Sequence, residues 1–348
     1  MRHAGGSYPV TIRAGARDDV APFLQDRLPG ARVAVIADDQ VARAMVSPLP
    51  DAELFTFPAG EASKTRETWG QLSDRLVAAH FDRDSVIVAM GGGVTGDLAG
   101  FVAATYLRGV PWLAIPTTTL AMLDAAIGGK TGVNTAAGKN LVGAFHPPLA
   151  VFSDPTLLGT LPARIYREGL AEAAKHAAIL DASYGDWIVD NADRIAARDP
   201  DALVILIGRS ATLKAGIVSG DERENDRRAL LNAGHSVAHG IELASDYTVP
   251  HGEAVAMGLV AEARLGESLG VTAAGTADRM QALLERLGLP TCPPPGLDRN
   301  RVIAAMSRDK KNRVGRVRAA LPASFGTAAR DGEAWTIAID AQLVAQVL

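Results

Sequence analysis

Short apolar runs alternate with helical segments through the first half of the chain, and this alternation limits the folds open to it. Val33–Ala37, Ser85–Met90 and Trp112–Ile115 are too short for buried helices and read as strands covered on both faces, with shorter strands expected at Tyr8–Ile12 and Phe55–Phe57. Between them lie a helical stretch from Ala16 to Leu28 closed by Pro29-Gly30, another from Gly60 to about Ala79, and a glycine-rich turn opening a helix to about Tyr106. Strands separated by helices in this way predict a mostly parallel sheet with helices on both faces, with Trp112–Ile115 closing the series. After about Asp154 the pattern becomes helical. Pro162 begins a long helix, and further segments are expected at 200–219, 229–245, 253–269, 276–287 and 299–307. A late hairpin is expected from Val317–Pro322 and Trp335–Ile339. The boundaries that follow are 1–157 for an α/β domain and 158–348 for a mainly α-helical one.

Composition narrows the functions. Hydrophobic residues at 48% and charged residues at 21% suit a globular chain, and a net charge of −4 gives no global basic field, so neither nucleic acid nor a membrane surface is an expected partner. Any anion site has to be local. Cys292 is the only cysteine, which excludes an internal disulfide and a thiolate metal cluster and fits a reducing, cytoplasmic setting. The N-terminal MRHAGGSYPVTIRAG lacks the apolar core of a secretory signal, and no run approaches the roughly 20 apolar residues of a membrane span.

The densest chemistry lies in RRALLNAGHSVAHGIELASDYTVPHGE, residues 227–253, which holds three of the seven histidines. His235 and His239 are four apart in a helical pattern and so share a face, while His251 sits in a turn-like Pro-His-Gly. The pair fits a metal clamp, with a third donor elsewhere, or a helix whose histidines only form hydrogen bonds. On the other side of the chain, Gly91-Gly-Gly-Val-Thr-Gly-Asp97 follows a strand and opens a helix, the arrangement that cradles a pyrophosphate. It is not in the first βα unit, however, and no ribose-binding acid follows about twenty residues later. Asp38, ending an earlier strand, fits a ribose hydroxyl or a helix cap equally well. Pro116-Thr-Thr-Thr119 ends another strand, and Lys130 and Lys139, set among glycines and asparagine, read as points that bind phosphate or carboxylate.

Taken in order, GGGVTGDLAGF, YLRG, PTT, the Asp124–Asn134 block, GKNLVGAF, REGLAEAAKH, LNAGH, HGE and DKK make the chain resemble the 3-dehydroquinate synthases of the shikimate pathway, from about Glu61 to Lys311. The resemblance implies an α/β NAD-binding domain and a mainly helical metal- and substrate-binding domain. It also implies NAD and a zinc or cobalt ion, and conversion of 3-deoxy-D-arabino-heptulosonate 7-phosphate to 3-dehydroquinate and phosphate. In that reaction a transient oxidation by NAD acidifies a neighbouring proton, phosphate is eliminated, the carbonyl is reduced again and an intramolecular aldol step closes the ring. Zinc-type ligands fall on Glu172, His235 and His251, so that His239 becomes a substrate-site histidine. Substrate positions fall on Asp124, Lys130, Lys139, Asn140, Lys175, Lys214, Arg228, Asn232, His239 and Lys310. Glu224 matches a proton-relay acid, and Arg108 an arginine that enters the neighbouring subunit's site, implying a homodimer. NAD-contacting positions fall on Asp38, Glu61, Lys64, Gly92, Asp97, Thr117, Thr118, Lys130, Lys139 and Thr160.

The chain departs from the family pattern at Asp226-Arg227, where Gly-Leu is usual, at Ala125-Ala126 in place of a serine pair, at Thr119 in place of leucine and at Ala238 in place of glycine. No ligand or charged substrate group is lost. The alternatives are a sugar phosphate cyclase acting on sedoheptulose 7-phosphate or an amino analogue, a metal-dependent alcohol dehydrogenase, and a non-catalytic NAD-binding protein. Gly129-Lys130, Arg228 and Asn232 favour a substrate that carries a carboxylate.

Overall fold

Val86–Gly91 is buried at every residue, so its backbone groups must pair on both edges inside a sheet. A computed structural model describes residues 1–224, 226–307 and 317–348, which divide into two compact units, Met1–Pro162 and Ala163–Leu348. In the first unit, strands β1 (Val10–Ile12), β2 (Val33–Asp38), β3 (Glu53–Phe57), β4 (Val86–Gly91), β5 (Trp112–Pro116) and β8 (Ala150–Ser153) form one sheet in the order β1-β8-β5-β4-β2-β3. Every pairing in it is parallel. Helices α1 (Val20–Arg27), α2 (Asp39–Ala44), α3 (Arg66–Ala78) and α4 (Gly93–Thr105) connect the strands. Leu72 and Leu76 of α3 and Leu98, Phe101 and Val102 of α4 join Ile36, Phe55, Ile87 and Trp112 in one core.

Trp112–Ile115 does not close the sheet, because β8 inserts between β5 and β1. The segment before it, for which no strand was expected, is an antiparallel hairpin of β6 (Lys130–Thr135) and β7 (Gly138–Phe145). Its glycines permit close approach. A Cβ at Gly132 would lie 2.6 Å from the Val142 carbonyl oxygen, and one at Gly100 of α4 would enter the Thr131 side chain of β6.

In the second unit the 18-residue α5 (Ala163–Leu180) is buried along Gly169–Ile179 and packs against α6 (Ala182–Asp190), α8 (Pro200–Val218), α10 (His251–Ser268) and α11 (Thr276–Arg286). Helix α9 (His235–Ala244) lies on α10, and α12 (Arg299–Ser307) on α9. The short α6, α7 (Ala192–Ala196) and α13 (Ala341–Val347) were not among the expected helices. Strand β9 (Val317–Ala319) pairs antiparallel with β12 (Ile337–Ile339), but the connection is more than a hairpin loop: it carries a second ladder, β10 (Pro322–Ser324) with β11 (Thr327–Ala328). His251 is not in a turn; it is the first residue of α10, after the extended N-cap Pro250. Proline at this boundary lacks only a donor that a helix start leaves unpaired in any case. No helix among the described residues is long and apolar enough to cross a membrane.

Candidate functional site

The chain leaves β2 outward to β3 and returns to place β4 on the other side of β2, so the strand order reverses between Asp38 and Gly91. Ligands of open α/β sheets collect at such a point, beyond the carboxyl ends of the strands. Helix α4 begins there with Gly92 as an N-cap that offers no side chain, so the first N–H groups remain for a ligand or solvent. A Cβ on Gly91 would fall inside the Thr95 side chain, and one on Gly92 would lie 2.9 Å from Thr118 Cγ2. Gly91, Gly92, Gly93, Gly96, Ala125 and Lys130 line one cleft.

Asp38 caps α2, accepting from the N–H groups of Gln40 at 3.0 Å and Val41 at 2.9 Å, while its other oxygen lies 3.3 Å from Thr95 Oγ1. The cap reading of Asp38 is therefore observed, at a position that also faces the glycine turn. Thr117 and Thr119 are buried with hydroxyls that meet no partner among the described residues, and Thr118 Oγ1 accepts from Ala121 N–H at 3.2 Å. Asp124 follows in the single π-helical turn Ala121–Ala125. The buried Lys64 ion-pairs with Asp97. Beside it, Asn134 donates from Nδ2 to Glu61 at 2.8 Å and from its N–H to the Lys64 carbonyl at 2.8 Å, and its Oδ1 accepts from Asn140 N–H at 2.9 Å. Glu61, Lys64, Asp97 and Asn140 thus form one network joined by Asn134, which was not singled out in the sequence.

Lys130 opens β6 opposite Phe145, whereas Lys139 lies beside the hairpin turn at Thr135–Gly138. With about 3.4 Å per residue, the length of the hairpin separates them by on the order of 14 Å. Thr160 is exposed at the end of the 3-10 turn Pro155–Thr160. Arg108 is exposed in a run of left-handed backbone, with φ of 49° at Leu107 and 70° at Arg108.

In the second unit α5 turns Glu172 inward, where it is 2% exposed. Its Oε1 lies 3.8 Å from His235 Nε2 and 4.0 Å from His251 Nε2, and these three ligand atoms lie within 4.8 Å of one another. Lys175, one turn along α5, ion-pairs with the other oxygen, Oε2. The far nitrogens are also held: His235 Nδ1 is 3.1 Å from the Ala233 carbonyl and His251 Nδ1 is 3.4 Å from Glu242 Oε2. Such contacts orient a ring and present Nε2 as the donor to a cation. One carboxylate and two imidazoles, with no protein ligand in the remaining positions, suit zinc or cobalt in an open site. His239 stands beside the cluster, its ring centroid 5.8 Å from that of His235 and 6.5 Å from that of His251. Glu168, a turn before Glu172, has its carboxyl held above the usual range by burial, a shift opposed by the nearby His251.

Arg228 is buried, with its guanidinium on the Glu222 carbonyl and its N–H on Asp221 at 2.9 Å. Asn232 donates to Glu224 at 2.6 Å, and Glu224 has a left-handed φ of 59°. Lys214 is buried on α8. The Asp226-Arg227 departure finds a local explanation for its second member, since the Arg227 guanidinium lies 5.7 Å from the centre of the Trp335 ring. Lys310 and its neighbour Lys311 lie outside the described residues. The acids missed in the sequence are Glu242 and Glu262. Glu242 was legible in principle, because 235, 239 and 242 share a helix face.

A parallel sheet with a glycine turn at its switch point and a glutamate with two histidines on a helical unit are the equipment of a nucleotide- and metal-dependent enzyme. The models of the 3-dehydroquinate synthase N-terminal and C-terminal domains match residues 54–168 and 169–312. A 3-dehydroquinate synthase of Halorhodospira halophila is 45% identical over 94% of this chain and 93% of its own length, and one of Desulforamulus reducens is 42% identical over 92% of each. The chain belongs to the 3-dehydroquinate synthase family. Among solved structures, a 2-deoxy-scyllo-inosose synthase complexed with carbaglucose-6-phosphate, NAD+ and Co2+ superposes with a TM-score of 0.89 at 25% identity, covering 97% of this chain and 96% of that one. A 2-epi-5-epi-valiolone synthase from Streptomyces hygroscopicus with NAD+ and Zn2+ bound gives 0.87 at 29% identity, covering 100% and 96%.

Proposed function

We propose that this protein converts 3-deoxy-D-arabino-heptulosonate 7-phosphate to 3-dehydroquinate and phosphate. The observation that carries the reading is the convergence of Glu172, His235 and His251 in a chain 45% identical to a 3-dehydroquinate synthase, against 25% and 29% to cyclases named for other products. Glu172, His235 and His251 hold a divalent cation, and the turn at Gly91–Gly93, with Asp38, Lys64, Asp97, Thr117 and Thr118, holds NAD. When bound, NAD supplies a reversible hydride acceptor and the cation a Lewis acid.

The chain's own groups do the rest. The residues that match the family's substrate positions, Lys130, Lys139, Asn140, Lys175, Lys214, Arg228 and Asn232, supply the cations and amides suited to a phosphate and a carboxylate, and fixed cations restrain an anionic intermediate from escape. Arg228 is suited to this because its guanidinium is anchored on the Glu222 carbonyl. His239 moves a proton at an imidazole nitrogen beside the metal ligands, and Glu224, oriented by the amide N–H of Asn232, takes up and returns one at its carboxylate. Asp124 orients a substrate hydroxyl. Arg108 serves a second copy of the chain in a homodimer, and the setting is cytoplasmic.

Purified protein supplied with a divalent metal should release inorganic phosphate from the heptulosonate phosphate, form 3-dehydroquinate and accumulate no NADH. Sedoheptulose 7-phosphate and an amino analogue, run beside it, should release phosphate far more slowly. Steady NADH formation would favour a dehydrogenase and end this reading.

A further inference from the structure

Among the described residues of the second unit, two buried carboxylates remain that the proposed chemistry does not use, Glu242 and Glu262. Helix α9 starts at His235 after Gly234, whose φ of 79° and missing side chain leave the helix without a cap of its own. The cap comes from α10: Glu262, 1% exposed, accepts from Gly234 N–H on Oε2 at 2.7 Å and from Val237 N–H on Oε1 at 3.2 Å. These two contacts bracket His235 in the chain. In the opposite direction Glu242, 3% exposed near the end of α9, faces Nδ1 of His251 at 3.4 Å at the start of α10. A buried carboxylate is costly unless paired, so its retention at both places calls for a role.

We infer that Glu242 and Glu262 are positioning residues in a reciprocal brace, in which each histidine-bearing helix supplies the carboxylate that sets the other helix's metal ligand. Glu242 holds the Nδ1–H tautomer of His251 and turns Nε2 toward Glu172. Glu262 fixes the first turn of α9 and with it the direction of His235. The helices must meet closely for this, and they do: a Cβ on Gly258 of α10 would collide with the Gly234 carbonyl. The inference rests on the metal reading of Glu172, His235 and His251, and goes beyond it by assigning residues that touch no metal or substrate.

The test measures zinc affinity by chelator competition on the intact chain and on Glu242→Gln and Glu262→Gln. Glutamine at 262 keeps one acceptor and turns its amide NH2 toward a backbone N–H, while at 242 it keeps shape but loses charge. Each variant should bind zinc about 10- to 100-fold more weakly, and its cobalt form should show an altered visible absorption band. Circular dichroism of the metal-free proteins shows that the fold is kept. Should a variant not fold, histidine-selective 15N NMR of the unmodified zinc protein still decides, since the brace requires His251 to bind through Nε2 with Nδ1 protonated. Wild-type affinity in a folded glutamine variant, or ligation through Nδ1, overturns the brace while leaving the metal site standing. Failure of the unmodified protein to bind zinc stoichiometrically overturns both.

Discussion

The glycine turn of the first unit and the histidine cluster of the second solve opposite problems. At Gly91–Gly93 the backbone itself is the binding surface, and side chains are removed so that a ligand can come close. At Glu172, His235 and His251 three side chains from three helices converge, and further side chains hold each of them. A backbone site is written as a contiguous run, whereas a convergent one is scattered over 80 positions of sequence. Substitutions should therefore behave differently in the two places.

The largest difference is expected from His251→Ala, which removes a ligand and should weaken zinc binding by at least about 10³-fold, roughly 4 kcal/mol. His239→Ala should keep the metal and lose turnover. Metal analysis of the two purified variants, with phosphate-release rates, checks both. If His239→Ala loses the metal and His251→Ala keeps it, the ligand assignment is wrong.

Next come two lysine–carboxylate pairs in which the lysine is buried. Lys175→Met leaves Glu172 without its ion-pair partner at 3% side-chain exposure, a change of about 3–5 kcal/mol against the metal-free protein. Zinc shares the same carboxylate, so it should restore most of the loss, and the metal-induced rise in Tm should exceed that of the wild type. Lys64→Met removes the Lys64–Asp97 ion pair in the first unit, where zinc should restore nothing. Thermal melts with and without zinc distinguish these outcomes. Equal zinc effects on both variants would remove the distinction drawn between the two sites.

Gly91→Ala should be milder in stability, about 1–3 kcal/mol for forcing a methyl into the Thr95 side chain. Because the shift falls on the turn itself, NAD affinity should drop while zinc affinity stays unchanged. Titration with NAD followed by calorimetry, beside a zinc titration, checks the separation.

The same contrast explains what could be read in advance. Five of the six strands of the sheet, all but β8, and the helices 200–218, 276–286 and 299–307 follow from apolar period and length. The β6–β7 hairpin did not, because Gly132 and Gly143, which allow its two backbones to meet, have the composition of a loop. The glycine motif was visible as a unit. Glu172 was not, since nothing local separates a buried ligand carboxylate from an ordinary helix-surface acid paired at i,i+4. Only the resemblance of REGLAEAAKH to a known family singled it out, and the same resemblance moved His239 from the ligands to the substrate side. Glu242 shares a helix face with His235 and His239, but its pairing with His251, like the part of Glu262, emerges only when α9 and α10 are seen packed together.

The smallest predicted effect compares an aspartate cap in each unit. Asp181 caps α6, accepting from Tyr184 N–H at 3.1 Å, and also meets the Ser183 hydroxyl and Arg209. Partial burial pushes its carboxyl up, but these donors together outweigh it and leave the group below its usual value of 3.8. A depressed carboxylate contributes stability that is present above the unfolded value and is lost as pH falls through the folded one. Asp181→Ala should accordingly cost about 1 kcal/mol at pH 7, and the gap to the wild type should shrink below about pH 4. Asp38 is the counterpart that caps α2 at the switch point, and Asp38→Ala should lose a comparable cap while also weakening NAD binding, which Asp181→Ala leaves alone. Urea denaturation at pH 7 and pH 3, with NAD titrations at pH 7, separates the two caps. A gap for Asp181→Ala that stays constant with pH would show that the cap acts through shape alone, and unchanged NAD affinity in Asp38→Ala would reduce Asp38 to the same structural role.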